Sequence, residues 1–267
     1  MMKNKVSKKL SMLVLLPLVA MILGFVGPET GWTEDKKDTF KLGHIKSFKP
    51  FAVAKETKSE GLAIDIVTEA LARVNIKVVF VGEHQDKVQE LLLKGQIDGL
   101  AFLGINPKRK KTYDFSNPYI ITGGALFVKS PNPASYDMKQ FEGKTVATPK
   151  KGPLAGYIQK KFPKVTVLTA VKDYPETLKV VLDGKADAAA LNTQAGTVLA
   201  KQLFPGKFSL PEKGFLEVPI GVGVPKGKQI YLLRKFNEGL KEILADGTYD
   251  KIVKKWGVPG ATKPSNR

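Results

Sequence analysis

The residue best suited to bind a charged ligand is Arg109, which follows a predicted buried strand at Ile97–Leu103. Its guanidinium offers a planar fork of N–H donors that matches a carboxylate or a phosphate. Asn106 can cap a short helical turn with Pro107 at its first position, so Arg109 would lie in that turn beside free backbone N–H groups. This arrangement predicts an anion site at the mouth of a cleft. The alternative is a solvated arginine within the cationic run Lys108–Lys111.

Few residues in the sequence could carry out covalent or metal chemistry. There is no cysteine, which excludes disulfides, thiolate catalysis, cysteine-ligated zinc and a lipoprotein anchor. The two histidines, His44 and His84, have no carboxylate pattern around them, and we expect each to be structural or solvent-facing. The sequence also lacks a G-x-S-x-G nucleophile motif and a phosphate-binding glycine loop. We therefore expect no metal, no cofactor and no enzymatic activity.

The chain is strongly basic, with 43 Lys and Arg against 25 Asp and Glu and a formal net charge of +18. Binding to nucleic acid is one explanation of such an excess. However, the lysines are spread along the chain and no nucleic-acid-binding motif accompanies them. A solvated basic surface that lies near anionic lipid or attracts an anionic ligand fits the pattern better. We expect no nucleic-acid partner.

The N-terminus has the features of an export signal. Residues 1–10 carry four lysines, and residues 11–26 form an apolar run that is short for a comfortable membrane span. We predict a signal peptide over residues 1–33, cleaved between Gly27 and Glu34. An uncleaved N-terminal anchor is the alternative. In either case the body of the protein is exported, and without a lipobox cysteine the expected compartment is the periplasm.

The elements that would position this arginine alternate between strands and helices, which is typical of an α/β protein. A first strand is predicted at Phe40–His44 and a second at Val78–Val81, and Asp65 is expected to cap the helix between them. The next helix should stop at Gly95, because glycine readily adopts the left-handed conformation that ends helices. Near the C-terminus, apolar residues at helical spacing predict two more helices, one on each side of Gly247.

One α/β unit occurs twice in the chain. The segments LLLKGQIDGLAF (91–102) and VVLDGKADAAAL (180–191) align at an offset of 89 residues, so that Asp98 corresponds to Asp187. Each segment reads as the end of a helix, a glycine stop, an aspartate and a strand of small residues. Common αβ-turn chemistry could produce this likeness by chance, but its context favours two related α/β lobes.

Two glycine-bearing extended runs, residues 123–130 and 219–227, lack helical periodicity and are interpreted as strands that cross between the lobes. Because the chain crosses twice, the lobes are not two successive segments. We predict that lobe 1 comprises residues 38–125 plus 224–262 and that lobe 2 comprises residues 126–223. The expected fold class is α/β, with two lobes joined by two hinge strands.

This order of parts resembles the extracellular solute-binding proteins of family 3, the polar amino acid receptors of ABC importers. The resemblance covers nearly all of residues 38–258 and is most specific where INPKR is followed by DFSNPY. It implies the type II periplasmic-binding-protein fold, in which two lobes close over one small ligand and present it to a membrane permease. The motifs that carry it are GLAIDIVTEALA (61–72), LLLKGQIDGLAFLGINPKRKKTYDFSNPY (91–119), FEGKTVATPKKG (141–152), LDGKADAAAL (182–191) and LKEILADGTYDKIVKKWG (240–257).

The resemblance also implies which residues would surround the ligand. Arg109 matches the family arginine that holds the ligand carboxylate, and Phe48 matches the aromatic residue that covers the ligand. Asn106 stands where the family usually has threonine, and both residue types cap helices well. Phe102 and Gly104 fall where relatives often have hydroxyl side chains, so here an apolar wall and bare backbone would take their place.

Three further positions of the implied site depart from the family pattern. Gln85 replaces a second stacking aromatic and would offer hydrogen bonds instead. Gly152 lies where relatives have a Gly-Thr pair, so the backbone can approach a ligand but the hydroxyl is missing. Asn192 follows residues 187–191 at a position where amino acid receptors commonly carry an aspartate for the ligand ammonium. Because asparagine brings no opposing charge, a ligand without a free ammonium becomes a serious contender.

The expected function is that of a periplasmic substrate-binding protein of an ABC importer, capturing a small carboxylate-bearing solute such as an amino acid or a related compound. The expected partners are a small anionic or zwitterionic ligand and an ABC permease in the inner membrane, with the binding protein itself a monomer. One alternative is a cleft enzyme similar to cyclohexadienyl dehydratase, which would need a general acid or base. The other is a free-standing ligand sensor.

Overall fold

The computed structural model describes residues 38–134, 137–150, 153–258 and 263. All of these belong to the compact unit Lys36–Arg267. The predicted signal peptide over residues 1–33 lies outside the described residues. Within the described ranges, no helix has the length and apolar composition needed to cross a membrane.

Strands and helices alternate along the described chain. The strands are β1 (Thr39–Ile45), β2 (Ser47–Phe48), β3 (Ala52–Ala54), β4 (Ser59–Glu60), β5 (Lys77–Glu83), β6 (Gly99–Gly104), β7 (Tyr113–Phe115), β8 (Ile120–Lys129), β9 (Thr145–Ala147), β10 (Thr166–Leu168), β11 (Ala188–Asn192), β12 (Phe208–Ser209) and β13 (Leu216–Pro225). The α-helices are α1 (Leu62–Arg73), α2 (Gln85–Leu93), α3 (Pro153–Lys161), α4 (Tyr174–Leu182), α5 (Thr193–Leu203), α6 (Ile230–Ala245) and α7 (Thr248–Lys255). Short 3₁₀ helices occupy Arg109–Lys111 and Met138–Phe141.

Ten of these strands form one mixed sheet in the order β10-β9-β11-β8-β13-β6-β1-β5, with β12 paired to β8 and β7 paired to β13. Strand β1 runs parallel to β5 and β6 at one end of the sheet, and β9 runs parallel to β10 and β11 at the other. Strands β8 and β13 lie between these parallel groups and pair antiparallel with each other. The α/β class with two connecting strands is therefore confirmed, and β2, β3 and β4 form a small separate sheet.

Buried hydrophobic side chains form separate clusters on the two sides of β8 and β13. The largest cluster packs α1, α6 and α7 against β1 and contains Phe40, Phe51 and Phe236. Two other clusters contain Phe127 and Phe141 and are built from residues between 125 and 208. Each end of the sheet thus has its own core, and the strand ends between the two cores are left to form a cavity.

The predicted repeat has a common structural cause. In the first copy, Asp98 accepts a hydrogen bond from the backbone N–H of Lys41 at 2.7 Å. In the second copy, Asp187 accepts one from the backbone N–H of Thr145 at 2.8 Å. The glycine that ends the preceding helix has a positive φ in both copies, 68° and 72°. Each aspartate therefore ties the start of its own strand to the neighbouring parallel strand.

The prediction that Asp65 caps the first long helix is wrong. The helix begins earlier, at Leu62, with Gly61 as its N-cap and no side-chain cap. A side-chain cap is not needed, because the backbone N–H of Leu62 donates to the carbonyl of Pro50 at 2.9 Å. Asp65 instead lies within the first turn and accepts a hydrogen bond from the indole N–H of Trp256 at 2.9 Å.

Candidate functional site

A cavity of about 470 Å³ opens where several strands of the large sheet end. Strands β1, β6 and β11 finish at Ile45, Gly104 and Asn192, and all three residues line it. Ligands of open α/β sheets bind at the carboxyl ends of the strands, so the topology alone makes this the leading site. Arg109 and Tyr174 line the same space, which we call the central cavity.

Arg109 lies at the edge of the central cavity with its side chain partly exposed. Its Nη1 donates to the carbonyl oxygen of Gly104 at 2.9 Å. A Cβ at Gly104 would lie 2.9 Å from that nitrogen, so the glycine gives the guanidinium room against the strand end. Arg109 forms no ion pair with any carboxylate in the part of the chain that the structure describes. Its other N–H groups are therefore available to an anion.

Asn106 organises this turn without reaching the central cavity. Its Oδ1 accepts a hydrogen bond from the backbone N–H of Arg109 at 2.9 Å, as expected of a cap. That N–H is consequently not free for a ligand, in contrast to the sequence-based expectation. The helical turn itself is a 3₁₀ helix of only three residues, Arg109–Lys111. Anion binding at this position therefore depends on the guanidinium, and Asn106 holds the turn that presents it.

Aromatic rings form the wall beside Arg109. Phe48 and Phe102 both line the central cavity, with ring centroids 5.6 Å apart in an edge-to-face arrangement. Behind them, Phe51 is fully buried, and its centroid lies 4.8 Å from that of Phe102. The cluster is fixed from the core side, so the two front rings offer a rigid apolar surface to a ligand.

Asn192 lies across the central cavity from β6, at the start of α5. Its Oδ1 accepts from the backbone N–H of Ala195 at 3.1 Å, and its Nδ2 donates to the hydroxyl of Thr122 at 2.8 Å. Its backbone N–H donates to the hydroxyl oxygen of Tyr174 at 3.3 Å. The side chain of Asn192 is therefore a helix cap that also ties α5 to β8.

The two remaining candidates differ in what can be said of them. Gln85 is exposed at the first position of α2 and lines the central cavity, as does Gln89 one turn later. Gly152 lies outside the described residues. Leu154, near it in sequence, lines the central cavity.

Of the lining residues that were not predicted as part of the site, three make hydrogen bonds that bear on its chemistry: Thr122, Tyr174 and His44. Thr122 and Tyr174 line the central cavity directly and form hydrogen bonds with Asn192, which lies 70 and 18 residues away in sequence. His44 was expected to be structural or solvent-facing; it is 3% exposed and still lines the central cavity. Its ring nitrogens contact the carbonyl oxygen of Ile45 at 3.0 Å and the hydroxyl of Ser59 at 2.7 Å. Burial lowers the pKa of His44, against a smaller opposing effect of the Ile45 carbonyl, and so favours the neutral ring.

The described lining of the central cavity carries a positive charge but no negative charge. Among the described residues that line it, Arg109 is the only one with a permanent charge, and none is an aspartate or a glutamate. The described residues also include no group of three or more His, Asp or Glu that could hold a metal ion. Apolar side chains make up much of the remaining lining, including Val88, Leu100, Leu103, Leu216, Val218 and Ile220.

The fold and the site define a type II periplasmic binding protein, and comparison with known proteins agrees. Residues 40–259 match the bacterial extracellular solute-binding proteins, family 3, and the chain belongs to that family. The ABC transporter glutamine-binding protein GlnH of Bacillus subtilis is 29% identical over 93% of this chain and 97% of its own length.

Solved structures show the same fold. The second substrate-binding domain of GlnP from Lactococcus lactis, in its open conformation, superposes with a TM-score of 0.69 at 23% identity, over 83% of this chain and 96% of that one. The ancestral amino acid-binding protein AncCDT-1, a precursor of cyclohexadienyl dehydratase, superposes with a TM-score of 0.58 at 29% identity, over 82% and 95% of the two chains.

Proposed function

We propose that this protein is the periplasmic substrate-binding component of an ABC importer and captures a small carboxylate-bearing solute in the central cavity. The observation that carries the proposal is the guanidinium of Arg109, held by Gly104 at a strand end and lacking an ion pair with any described carboxylate. Arginine is the residue that recognises carboxylates by two parallel hydrogen bonds. The ligand would occupy the space between this fork and the rings of Phe48 and Phe102.

The ligand would be enclosed by two lobes that close about β8 and β13. We place lobe 1 at residues 38–125 plus 224–262 and lobe 2 at residues 126–223. The separate hydrophobic clusters support this division, because among the strands that the structure describes only β8 and β13 pass between the parallel groups of the sheet. A ligand that contacts both Arg109 and Asn192 would bind the closed form better, and that difference is what drives closure.

Transport is the biological role that best fits this family. The related GlnH is a glutamine-binding protein of an ABC transporter and has nearly the same length as this chain. We propose a monomer that carries its ligand to an ABC permease in the inner membrane, exported by the N-terminal signal peptide. A free-standing sensor would share the same site and would differ only in the membrane partner that the closed form contacts.

An enzyme of the same fold is the second candidate, since AncCDT-1 is described as a precursor of a dehydratase. Such an enzyme needs a general acid or base beside its substrate. Of the described lining residues, His44 and Tyr174 can titrate; both ring nitrogens of His44 are in contact with partners, and burial raises the pKa of Tyr174. We therefore propose binding without turnover. Conversion of a cyclohexadienyl acid by the purified protein would contradict this.

The role of Arg109 in binding the ligand carboxylate is tested with the substitution Arg109→Ala. Loss of a charge-assisted, two-point contact should weaken binding of the tightest carboxylate in a panel of amino acids and 2-oxo acids by about 100-fold. The matched control is Lys111→Ala, which removes an exposed cation from the same 3₁₀ helix and should leave affinity within about twofold. Titration calorimetry measures both. Equal affinities of Arg109→Ala and the unmodified protein would show that the carboxylate is held elsewhere.

A further inference from the structure

The described polar groups opposite Arg109 carry no negative charge. An ammonium group brings three donors and a positive charge, so it needs acceptors and preferably a carboxylate. The described lining of the central cavity includes neither aspartate nor glutamate. An α-amino acid bound by its carboxylate at Arg109 would leave its ammonium without a counter-charge.

The oxygen of Asn192 does not supply that counter-charge, because it belongs to a neutral amide and already caps a helix. It accepts the N–H of Ala195 at 3.1 Å and so closes the first turn of α5. Turning the amide to face a ligand would open the helix end and break the 2.8 Å bond from Nδ2 to Thr122. The hydroxyl proton of Thr122 is in turn committed, since it is donated to Oε1 of the buried Gln194 at 2.9 Å. These linked bonds fix the amide in one orientation.

The hydroxyl of Tyr174 can donate a hydrogen bond on this side of the cavity. Its oxygen accepts the backbone N–H of Asn192 at 3.3 Å, and no described residue takes its proton. Burial raises the pKa of Tyr174, against a smaller effect of that N–H, so the proton is retained at neutral pH. A neutral oxygen on the ligand is a suitable acceptor for this hydrogen.

The space between Arg109 and Tyr174 is lined mainly by apolar side chains. The rings of Phe48 and Phe102 form one wall, and Val218 and Ile220 of β13 line it as well. A second charged group, such as an ammonium, would lose hydration here without gaining a counter-charge. A hydrocarbon body, by contrast, gains free energy by leaving water.

We propose that the preferred ligand is a carboxylate whose second polar group is an uncharged oxygen, a keto or hydroxyl group, on an apolar body and without an ammonium. Arg109 takes the carboxylate, Tyr174 donates to the keto or hydroxyl oxygen, and the phenylalanine rings pack on the body. The 2-oxo and 2-hydroxy acids are the simplest members of this class. The inference rests on the proposed function and specifies the substrate of the same site.

The test compares acids that differ only in the group at carbon 2. Three pairs cover different body sizes: pyruvate with alanine, 4-methyl-2-oxopentanoate with leucine, and phenylpyruvate with phenylalanine. Each is titrated calorimetrically into the protein after export and purification. We expect the oxo acid of the best-fitting pair to bind at least about tenfold more tightly than its amino acid.

Two different failures can be told apart in this experiment. An amino acid that binds as tightly as its oxo acid, or more tightly, overturns the substrate class and leaves the proposed function intact. If none of the six compounds binds, and neither does any other carboxylate in the Arg109 panel, the proposed function and the inference both fail.

The role of the tyrosine hydroxyl is tested with Tyr174→Phe. The substitution should weaken the oxo acid of the best pair about tenfold while leaving the corresponding simple acid, which lacks the keto oxygen, unchanged. A purely structural role would weaken both ligands equally and would contradict the assignment.

Asn192→Asp provides a second, independent variant, because aspartate also caps helices and adds the missing charge. We expect it to reduce or reverse the preference for the oxo acid. An unchanged preference would contradict the claim that the missing negative charge at Asn192 disfavours an ammonium.

Discussion

At the scale of single residues, Arg109 occupies its place because Gly104 leaves room for it and Asn106 holds its backbone. The INPKR motif indicated this turn, since Asn, Pro and Arg each have a local reason to stand there. Tyr174 and Thr122 had no such local signal. Their part in the site comes from contacts with Asn192, 18 and 70 residues away in sequence, which only the assembled sheet creates.

The buried His44 should make the stability of the protein depend on pH. Burial lowers its folded-state pKa below the unfolded value of about 6.5, so the unfolded chain takes up the proton first. This stabilising contribution is complete above about pH 6.5 and is lost as the pH falls toward the lower folded-state value. We expect the melting temperature to drop between about pH 7 and pH 5, and His44→Gln to flatten that drop.

The pH window separates this effect from the carboxylates. Glu90 and Asp246 have pKa values lowered to about 2, chiefly by hydrogen bonds with Lys94 and with Thr248, and their effect on stability is lost only below the unfolded values near 4. The exposed His84→Gln is the control and should leave the profile unchanged. An identical acid-side drop in His44→Gln and in the unmodified protein would show that His44 is not responsible.

At the scale of elements, periodicity predicted the helices that pack on the sheet. The apolar positions Leu232, Phe236, Leu240 and Ile243 are all buried on one face of α6. Local pattern was insufficient at the start of α1, where tertiary hydrogen bonds to the preceding segment replace a side-chain cap. Helix existence follows from local sequence, whereas helix ends and cavity contacts depend on partners that the local sequence does not specify.

The contact between α1 and α6 depends on a glycine. A Cβ at Gly239 would lie only 1.7 Å from the carbonyl oxygen of Ala70, so Gly239→Ala must push the two helices apart. We expect a loss of about 2–3 kcal/mol in the free energy of unfolding, measured by urea denaturation.

The matched control for that substitution is Gly156→Ala in the exposed part of α3. No atom outside its own helix backbone and chain neighbours lies within 4 Å of the added Cβ there, so the higher helix propensity of alanine should raise stability by about 0.5–1 kcal/mol. Similar effects of the two substitutions would mean that helix propensity, and not the close approach of α1 and α6, decides the outcome.

At the scale of the whole molecule, one sheet connects the hydrophobic clusters at its two ends, and the central cavity lies between them. The crossing strands β8 and β13 were predicted from glycine-bearing runs without helical period, and the structure pairs them with each other. The chemistry of the cavity could be predicted only in part: its cation follows from a motif, whereas its lack of described acidic residues emerges from the assembled lining. This combination is what the proposal of a carboxylate-binding receptor explains.

The most direct test of that proposal is thermal unfolding of the purified protein in the presence of carboxylates or of their methyl esters. A ligand that binds only the native state stabilises it by about 2.7 kcal/mol at 100 times its dissociation constant. We predict that at least one small carboxylate raises the melting temperature in a concentration-dependent manner and that its methyl ester, which cannot pair with Arg109 as an anion, does not. A melting temperature unmoved by every carboxylate, or raised equally by acid and ester, would contradict the central claim.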